Sequence, residues 1–61
     1  MSDHLVTPKQ LAERFGTTTS RLAQDRYMGR GPRFVKLGRT IRYTETDIQA
    51  WIDANTHERT A

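Results

Sequence analysis

The stretch RLAQDRYMGRGPRFVKLGRTIR, residues 21–42, decides how the rest of the chain can be organised. Against a single acid, Asp25, it carries seven basic residues, which are Arg21, Arg26, Arg30, Arg33, Lys36, Arg39 and Arg42. Its net charge is +6, whereas residues 1–20 are neutral and residues 43–61 carry −3, consistent with +3 for the whole chain. A small domain with this polarity is expected to present one cationic surface that suits a polyanion. The alternative is a basic face that meets only solvent.

The length of 61 residues predicts a single domain, with an ordered core over about residues 5–54. A chain this short buries only about 60% of its unfolded surface, so its core is small. Cysteine is absent, which excludes a disulfide framework and a thiolate zinc site. His4 and His57 lie near opposite ends of the chain, so we expect neither a metal nor a cofactor.

The distribution of apolar residues bears on location and on activity. No apolar run exceeds three residues, so neither a signal peptide nor a membrane span is predicted, and we expect a cytoplasmic protein. The small core leaves little room for a substrate pocket. Paired carboxylates, a nucleophile–base set and a metal cluster are all missing from the sequence, so we predict that the protein is not an enzyme.

The first helix is predicted over residues 8–15 from its capping residues. Thr7 is a preferred N-cap, Pro8 suits the first helical position, and Gln10 completes a capping box. Gly16 can adopt the left-handed conformation that ends a helix. The apolar residues at helical spacing are Leu11, Ala12 and Phe15.

A second helix is predicted from Thr19 to about Tyr27, with Thr18 as its N-cap. Leu22 is expected to face inward, supported by Ala23 or Tyr27. The residues expected to face outward are Thr19, Ser20, Arg21 and Gln24.

The spacing of Ala12, Gly16 and Leu22 is that of a helix-turn-helix, in which a turn glycine lets the second helix cross the first. A short pair of helices with no role in nucleic-acid binding would show a similar pattern.

One position disagrees with the motif, because the residue three after Leu22 is normally apolar and here is Asp25. An unpaired buried carboxylate is costly. Asp25 should therefore turn to the surface and pair with Arg21 or Arg26, or else mark a second helix that is shorter or tilted.

Two short β-rich runs, residues 34–37 and 41–43, flank Gly38-Arg39-Thr40 and predict a hairpin with a three-residue tip. Arg39 would lie at the exposed tip. We expect one face of the hairpin to carry Lys36 and Arg42. The opposite face is expected to carry Val35, Leu37, Ile41 and Tyr43.

A third helix is predicted after Thr44, which is a suitable N-cap, and Asp47 in its first turn is favoured by the helix dipole. Its apolar stripe consists of Ile48, Trp51 and Ile52. The expected order is α-α-β-β-α, a mainly α fold with a small β-hairpin. The aromatic residues expected in the core are Phe15, Phe34, Tyr43 and Trp51.

Several pieces in combination resemble one family. They are Gly16-Thr17-Thr18, Arg26, GRGPRFVKLGR at 29–39, IRY at 41–43, Asp47-Ile48 and AWI at 50–52. Over about residues 5–54 the chain resembles the small winged helix-turn-helix excisionases and AlpA-type regulators of phages and integrated elements, which are related to the MerR-type DNA-binding domain. The main departure is Asp25, where relatives commonly carry an aromatic residue.

The resemblance implies that the protein is a recombination directionality factor that binds double-stranded DNA. Such a protein binds attachment-site repeats cooperatively with neighbouring copies of itself, bends the DNA and directs a phage integrase toward excision. It would act in the cytoplasm of a bacterial host, close to the nucleoid and away from any membrane. The alternatives are a small transcriptional regulator of the same fold, or a basic module that binds an acidic protein.

The resemblance also implies a division of roles among the residues. Arg21 would reach a guanine and Gln24 an adenine in the major groove, while Arg39 would lie at the adjacent minor groove. The recognition helix would offer Thr18, Thr19, Ser20, Arg21 and Gln24. The wing would offer Lys36, Arg39, Thr40 and Arg42. The residues expected to hold phosphates are Arg26, Arg30 and Arg33.

Each of these assignments has a plainer reading. Arg26 could fold back on Asp25 or on the core. Arg21 could be a solvated helix residue, and Arg39 could serve solubility alone. The DNA-binding interpretation requires Arg21 and the arginine-tipped hairpin to face the same side of the molecule.

Overall fold

The computed structural model describes residues 4–57 and places three helices around a three-stranded antiparallel sheet. The elements in chain order are β1 (Leu5–Val6), α1 (Pro8–Phe15), α2 (Thr19–Met28), β2 (Val35–Leu37), β3 (Thr40–Thr44) and α3 (Glu45–Ala54). The strand order β1-β3-β2 makes β3 the central strand. The element order β-α-α-β-β-α roughly fits a winged-helix layout. No helix in residues 4–57 is both long and apolar enough to cross a membrane.

Each of the three helices begins at a threonine, as the sequence predicts. The hydroxyl oxygens of Thr7, Thr18 and Thr44 accept hydrogen bonds of 3.0–3.1 Å from the backbone N–H three residues on. At α1 the side chain of Gln10 returns a bond to the backbone N–H of Thr7, which completes the capping box. Local capping chemistry therefore fixes where the helices start.

Glycines end α1 and α2 in the same way. Gly16 and Gly29 have φ of 70° and 72°, a left-handed conformation that L side chains rarely adopt. In both helices the glycine N–H and the following N–H bond back to the carbonyls of the last turn, the paired pattern of a Schellman motif. Helix α1 matches the predicted range, and α2 ends at Met28, one residue beyond the prediction.

The core lies between the helices and the sheet face that carries Tyr43. Its buried residues are Val6, Leu11, Ala12, Leu22, Tyr43 and Ile48. Three partly buried side chains, Phe15, Ile41 and Ile52, pack against it. Ala12 and Leu22, the two apolar positions of the helix-turn-helix spacing, are both in this cluster. Of the four aromatic residues expected inside, Phe34 is exposed, and Phe15 and Trp51 are half-buried with their rings stacked at 5.5 Å.

The predicted order α-α-β-β-α lacks strand β1 and is wrong in this respect. Leu5 pairs with Thr44 and Val6 with Tyr43 along the free edge of β3. Two residues carry no usable periodicity, and their conformation is fixed by pairing with a strand nearly forty positions away. Val6 is almost fully buried, so β1 also contributes to the core.

The hairpin differs from the prediction in its turn and in its faces. Leu37 pairs with Thr40, so the tip is the two-residue turn Gly38-Arg39 rather than three residues. Because directly opposed residues on antiparallel strands share a face, the pairing of Val35 with Arg42 places those two side chains together. The predicted apolar face of Val35, Leu37, Ile41 and Tyr43 is therefore wrong. With one residue fewer in the turn, Leu37 pairs with Thr40 instead of Ile41. The side chains of Val35 and Leu37 therefore lie on the sheet face opposite to that of Ile41 and Tyr43.

Two contacts fasten α3 to the rest of the body. Arg14 donates to both carboxylate oxygens of Glu45, at 2.8 and 2.9 Å. That hydrogen bond raises the pKa of the Arg14 guanidinium above its ordinary value, since only the charged form donates both bonds. The indole N–H of Trp51 donates to the carbonyl of Arg30 at 2.8 Å, which joins α3 to the loop after α2.

Candidate nucleic-acid interface

Helix α2 presents most of its surface to solvent, because Leu22 is its one buried residue. The four residues predicted to face outward are all exposed: Thr19, Ser20, Arg21 and Gln24. Thr18 is exposed as well, but its hydroxyl is occupied in capping the helix through the Arg21 N–H. The helix therefore offers a hydrophilic face with donors and acceptors suited to base edges.

Tyr27 corrects one prediction and adds a residue to this face. Neither Ala23 nor Tyr27 supports Leu22, because both residues are exposed, Tyr27 to 89%. Ser20, Gln24 and Tyr27 have the i, i+4, i+7 spacing that places residues on one stripe of a helix. An exposed tyrosine combines a large apolar ring with a polar hydroxyl, so it can contact bases or backbone. The same spacing applied to the sequence could have identified it.

Asp25 lies at the surface and is paired, which is the first of the two outcomes expected for it. Its Oδ1 oxygen is 3.9 Å from Nε of Arg21 and 3.6 Å from Nη2 of Arg30. The Asp25 side chain is 23% exposed, whereas those of Arg21 and Arg30 are 66% and 57% exposed. The acid within the basic stretch thus lies beside two of its arginines, which are the expected Arg21 and, in addition, Arg30 rather than Arg26.

Arg26 points into the body of the protein. Its Nη1 donates to the hydroxyl of Tyr43 at 2.7 Å, and its guanidinium carbon lies about 6 Å from the ring centres of Phe34 and Tyr43. Such placement over two rings adds a cation–π attraction to the hydrogen bond. Of the three residues expected to hold phosphates, Arg26 thus contacts the core, while Arg30 and Arg33 are exposed.

The loop between α2 and β2 is held at several points. The backbone N–H of Arg30 donates to the carbonyl of Asp25 at 2.9 Å, and the carbonyl of Arg30 accepts from Trp51. Pro32 is buried. The Arg30 side chain therefore extends from a backbone that is fixed to both α2 and α3.

The hairpin carries exposed basic residues at its tip and along β2. Lys36, Arg39 and Thr40 are exposed. The Thr40 hydroxyl donates to the carbonyl of Leu37 at 2.7 Å, which braces the turn. Arg42 is half-buried, and its Nη1 donates to the carbonyl of Ile41 at 2.7 Å. By its pairing with Val35, Arg42 lies on the sheet face away from the core.

An open cleft of about 520 Å³ adjoins α2. The side chains that line it come from the end of α1, the turn after it, α2, the loop after α2, and α3: Phe15, Thr17, Arg21, Leu22, Asp25, Pro32 and Trp51. Arg21 and Asp25 thus stand at the boundary between this cleft and the exposed face of α2. Within the described part of the chain, no group of three or more histidine, aspartate or glutamate residues could hold a metal ion.

Comparison of the chain with protein-family models finds no matching family, and comparison with curated proteins finds no related sequence.

Proposed function

We propose that this chain binds double-stranded DNA as a winged helix-turn-helix and acts as a phage-type excisionase. In this proposal α2 enters the major groove, the turn Gly38-Arg39 reaches the adjacent minor groove, and Arg30 and Arg33 hold phosphates. The protein performs no chemistry. It bends attachment-site DNA so that an integrase carries out excision.

The observation that carries the proposal is the exposure of α2 together with the basic residues that follow it. Five of the seven basic residues in 21–42 are exposed: Arg21, Arg30, Arg33, Lys36 and Arg39. They lie on three consecutive elements, namely α2, the loop after it and the hairpin. A basic face that meets only solvent does not require a helix with a single buried residue. A helix that enters a DNA groove must leave most of its surface uncovered by the rest of the protein.

The size of the domain supports cooperative binding. A single module of this kind buries only about 600–1,000 Å² on DNA, too little for tight binding alone. We therefore infer that several copies bind adjacent repeats, with the acidic residue Asp47 in the first turn of α3 available to a neighbour's basic surface. Charge of opposite sign on neighbouring copies favours this contact at low salt.

An integrase-dependent excision assay tests the proposal. Adding the protein should raise excision of a DNA carrying both attachment-site junctions and should suppress integration. The Arg21→Ala variant should fail in this assay, whereas Lys9→Ala, which removes an exposed charge on α1, should act normally. Excision and integration rates that do not change when the protein is omitted would reject the excisionase role.

Footprinting on the same element separates excisionase from promoter regulator. Protection of repeats beside the attachment site supports the first function, and protection confined to a promoter supports the second. Neither pattern is expected if the basic surface binds an acidic protein instead, because such a module has no preferred duplex site.

A further inference from the structure

The contact between Asp25 and Arg21 is made through one particular atom of the guanidinium. The carboxylate oxygen lies nearest to Nε, at 3.9 Å, on the side chain four residues earlier in the same helix. An acid beside Nε restrains the guanidinium without occupying Nη1 and Nη2 as its nearest contact. Those two nitrogens are the fork that reads the O6 and N7 atoms of a guanine.

We propose that Asp25 is a specificity-determining positioning residue, which holds Arg21 by its Nε so that the terminal nitrogens read a guanine and do not grip a phosphate. This inference rests on the proposed DNA-binding function and deepens it. It also gives the one acid of the basic stretch a role, where the helix-turn-helix pattern would place an apolar side chain.

Asp25 is itself well placed for such a role. Its backbone carbonyl accepts the N–H of Arg30, and its side chain lies 3.6 Å from the Arg30 Nη2 atom. A Cβ built on Gly31 would lie 3.3 Å from the Cβ of Asp25, so the loop packs closely against this side chain. Arg30 contacts the same Oδ1 oxygen that lies near Arg21, so the acid has little freedom to turn away from Arg21.

The electrostatic consequence differs between specific and random DNA. On random DNA the strongest available contact for Arg21 is a phosphate, but taking it requires the guanidinium to leave Asp25 and brings a phosphate toward the carboxylate. On the correct site Arg21 reaches a guanine while Asp25 remains beside Nε. Asp25 therefore lowers the affinity for random DNA more than the affinity for the correct site, which raises the ratio of specific to random affinity.

The experiment compares Asp25→Asn with Asp53→Asn. Asp53 is an exposed acid on α3 whose side chain accepts from Gln49 on its own helix, so the control makes the same chemical change away from α2. Each protein is titrated with three duplexes at one salt concentration. These are a random sequence, the best sequence selected by the wild-type protein from a randomised pool, and that sequence with single guanines replaced by 7-deazaguanine, which lacks the N7 acceptor.

The wild-type protein and Asp53→Asn should each lose about fivefold to tenfold in affinity at one guanine. Asp25→Asn should lose about twofold or less in affinity when that guanine is replaced. It should also bind the random duplex about threefold to fivefold more tightly than Asp53→Asn does. Asp25→Glu, which keeps the charge, should retain most of the guanine dependence. The double variant Arg21→Ala, Asp25→Asn should show the same guanine dependence as Asp25→Asn alone, because Asp25 acts through Arg21.

Two results would overturn the inference while leaving DNA binding intact. One is that Asp25→Asn retains the wild-type guanine dependence. The other is that Asp53→Asn and Asp25→Asn change random binding equally, which reports net charge alone. If Asp25→Asn fails to fold, Asp25→Glu decides the question, since full loss of guanine dependence in that variant contradicts the inference. If the wild-type protein binds none of the duplexes in dilute salt, the proposed function fails, and the role of Asp25 fails with it.

Discussion

The guanidinium of Arg26 donates a 2.7 Å hydrogen bond to the hydroxyl of Tyr43, and this contact joins α2 to the central strand β3. Tyr43 is fully buried, so its hydroxyl has no access to water and depends on that arginine. Through this pair the helix proposed to enter the major groove is fixed relative to the hairpin proposed to reach the minor groove. Arg26 thus fixes the relative position of the two parts of the proposed interface.

Tyr43→Phe should lower the free energy of unfolding by about 1–2 kcal/mol, because a charge-assisted hydrogen bond is lost at a buried site. Denaturant unfolding measures the change. Tyr27→Phe is the matched control, since Tyr27 is 89% exposed and its hydroxyl has no partner recorded in residues 4–57. Equal stability of the two variants would show that the Arg26 contact contributes nothing.

Arg21→Ala should weaken binding to the preferred duplex by about 1–3 kcal/mol and should relax sequence choice. Arg33→Ala should instead weaken binding to all duplexes alike and reduce the salt dependence by about one unit of slope, as the loss of one phosphate contact requires. Competition binding with preferred and random duplexes distinguishes the two. The same loss of sequence choice in both variants contradicts the division between base reading and phosphate contact.

Arg39→Ala should reduce affinity most for duplexes whose flanking step is A·T-rich, because a narrow minor groove concentrates the negative potential that attracts an arginine. Lys9→Ala removes the same charge from an exposed position on α1, and its effect should be small and independent of the flank. Affinities on a pair of duplexes that differ only in the flank provide the measurement. A loss that is equal on both flanks argues against minor-groove contact by the hairpin tip.

Trp51→Phe should lower the free energy of unfolding by about 1 kcal/mol, since the variant keeps an aromatic ring beside Phe15 but loses the N–H that donates to the Arg30 carbonyl. The amide protons of the loop after α2 should exchange faster with solvent. Hydrogen exchange that is unchanged in this loop would mean that Trp51 does not hold it in place.

The helix boundaries could be predicted from sequence because they are set locally. A threonine N-cap bonds within three residues, and a glycine C-cap needs only its own left-handed conformation. The apolar positions Ala12 and Leu22 also follow from spacing within two adjacent helices. These features predict the starts of all three helices and the glycines that end α1 and α2.

The sheet was less predictable because its geometry depends on residues far apart in sequence. Strand β1 exists only through its pairing with β3, and the two-residue turn at Gly38-Arg39 sets a register that reverses the predicted faces of β2. Tyr27 was one of two residues expected to support Leu22, but it lies on the helix stripe of Ser20 and Gln24 and is exposed. The pairing of Asp25 with Arg30 depends on how the loop folds back, which no local pattern specifies.

Titration of a short DNA duplex over a range of salt concentrations tests the central claim most directly. The account predicts binding in dilute salt that weakens steeply as salt rises, with a slope of about −4 to −5 in log affinity against log salt, because the five exposed basic residues of 21–42 would each displace about one counterion from the DNA. A chain that ignores duplex DNA even in dilute salt, or whose binding does not respond to salt, would contradict the account.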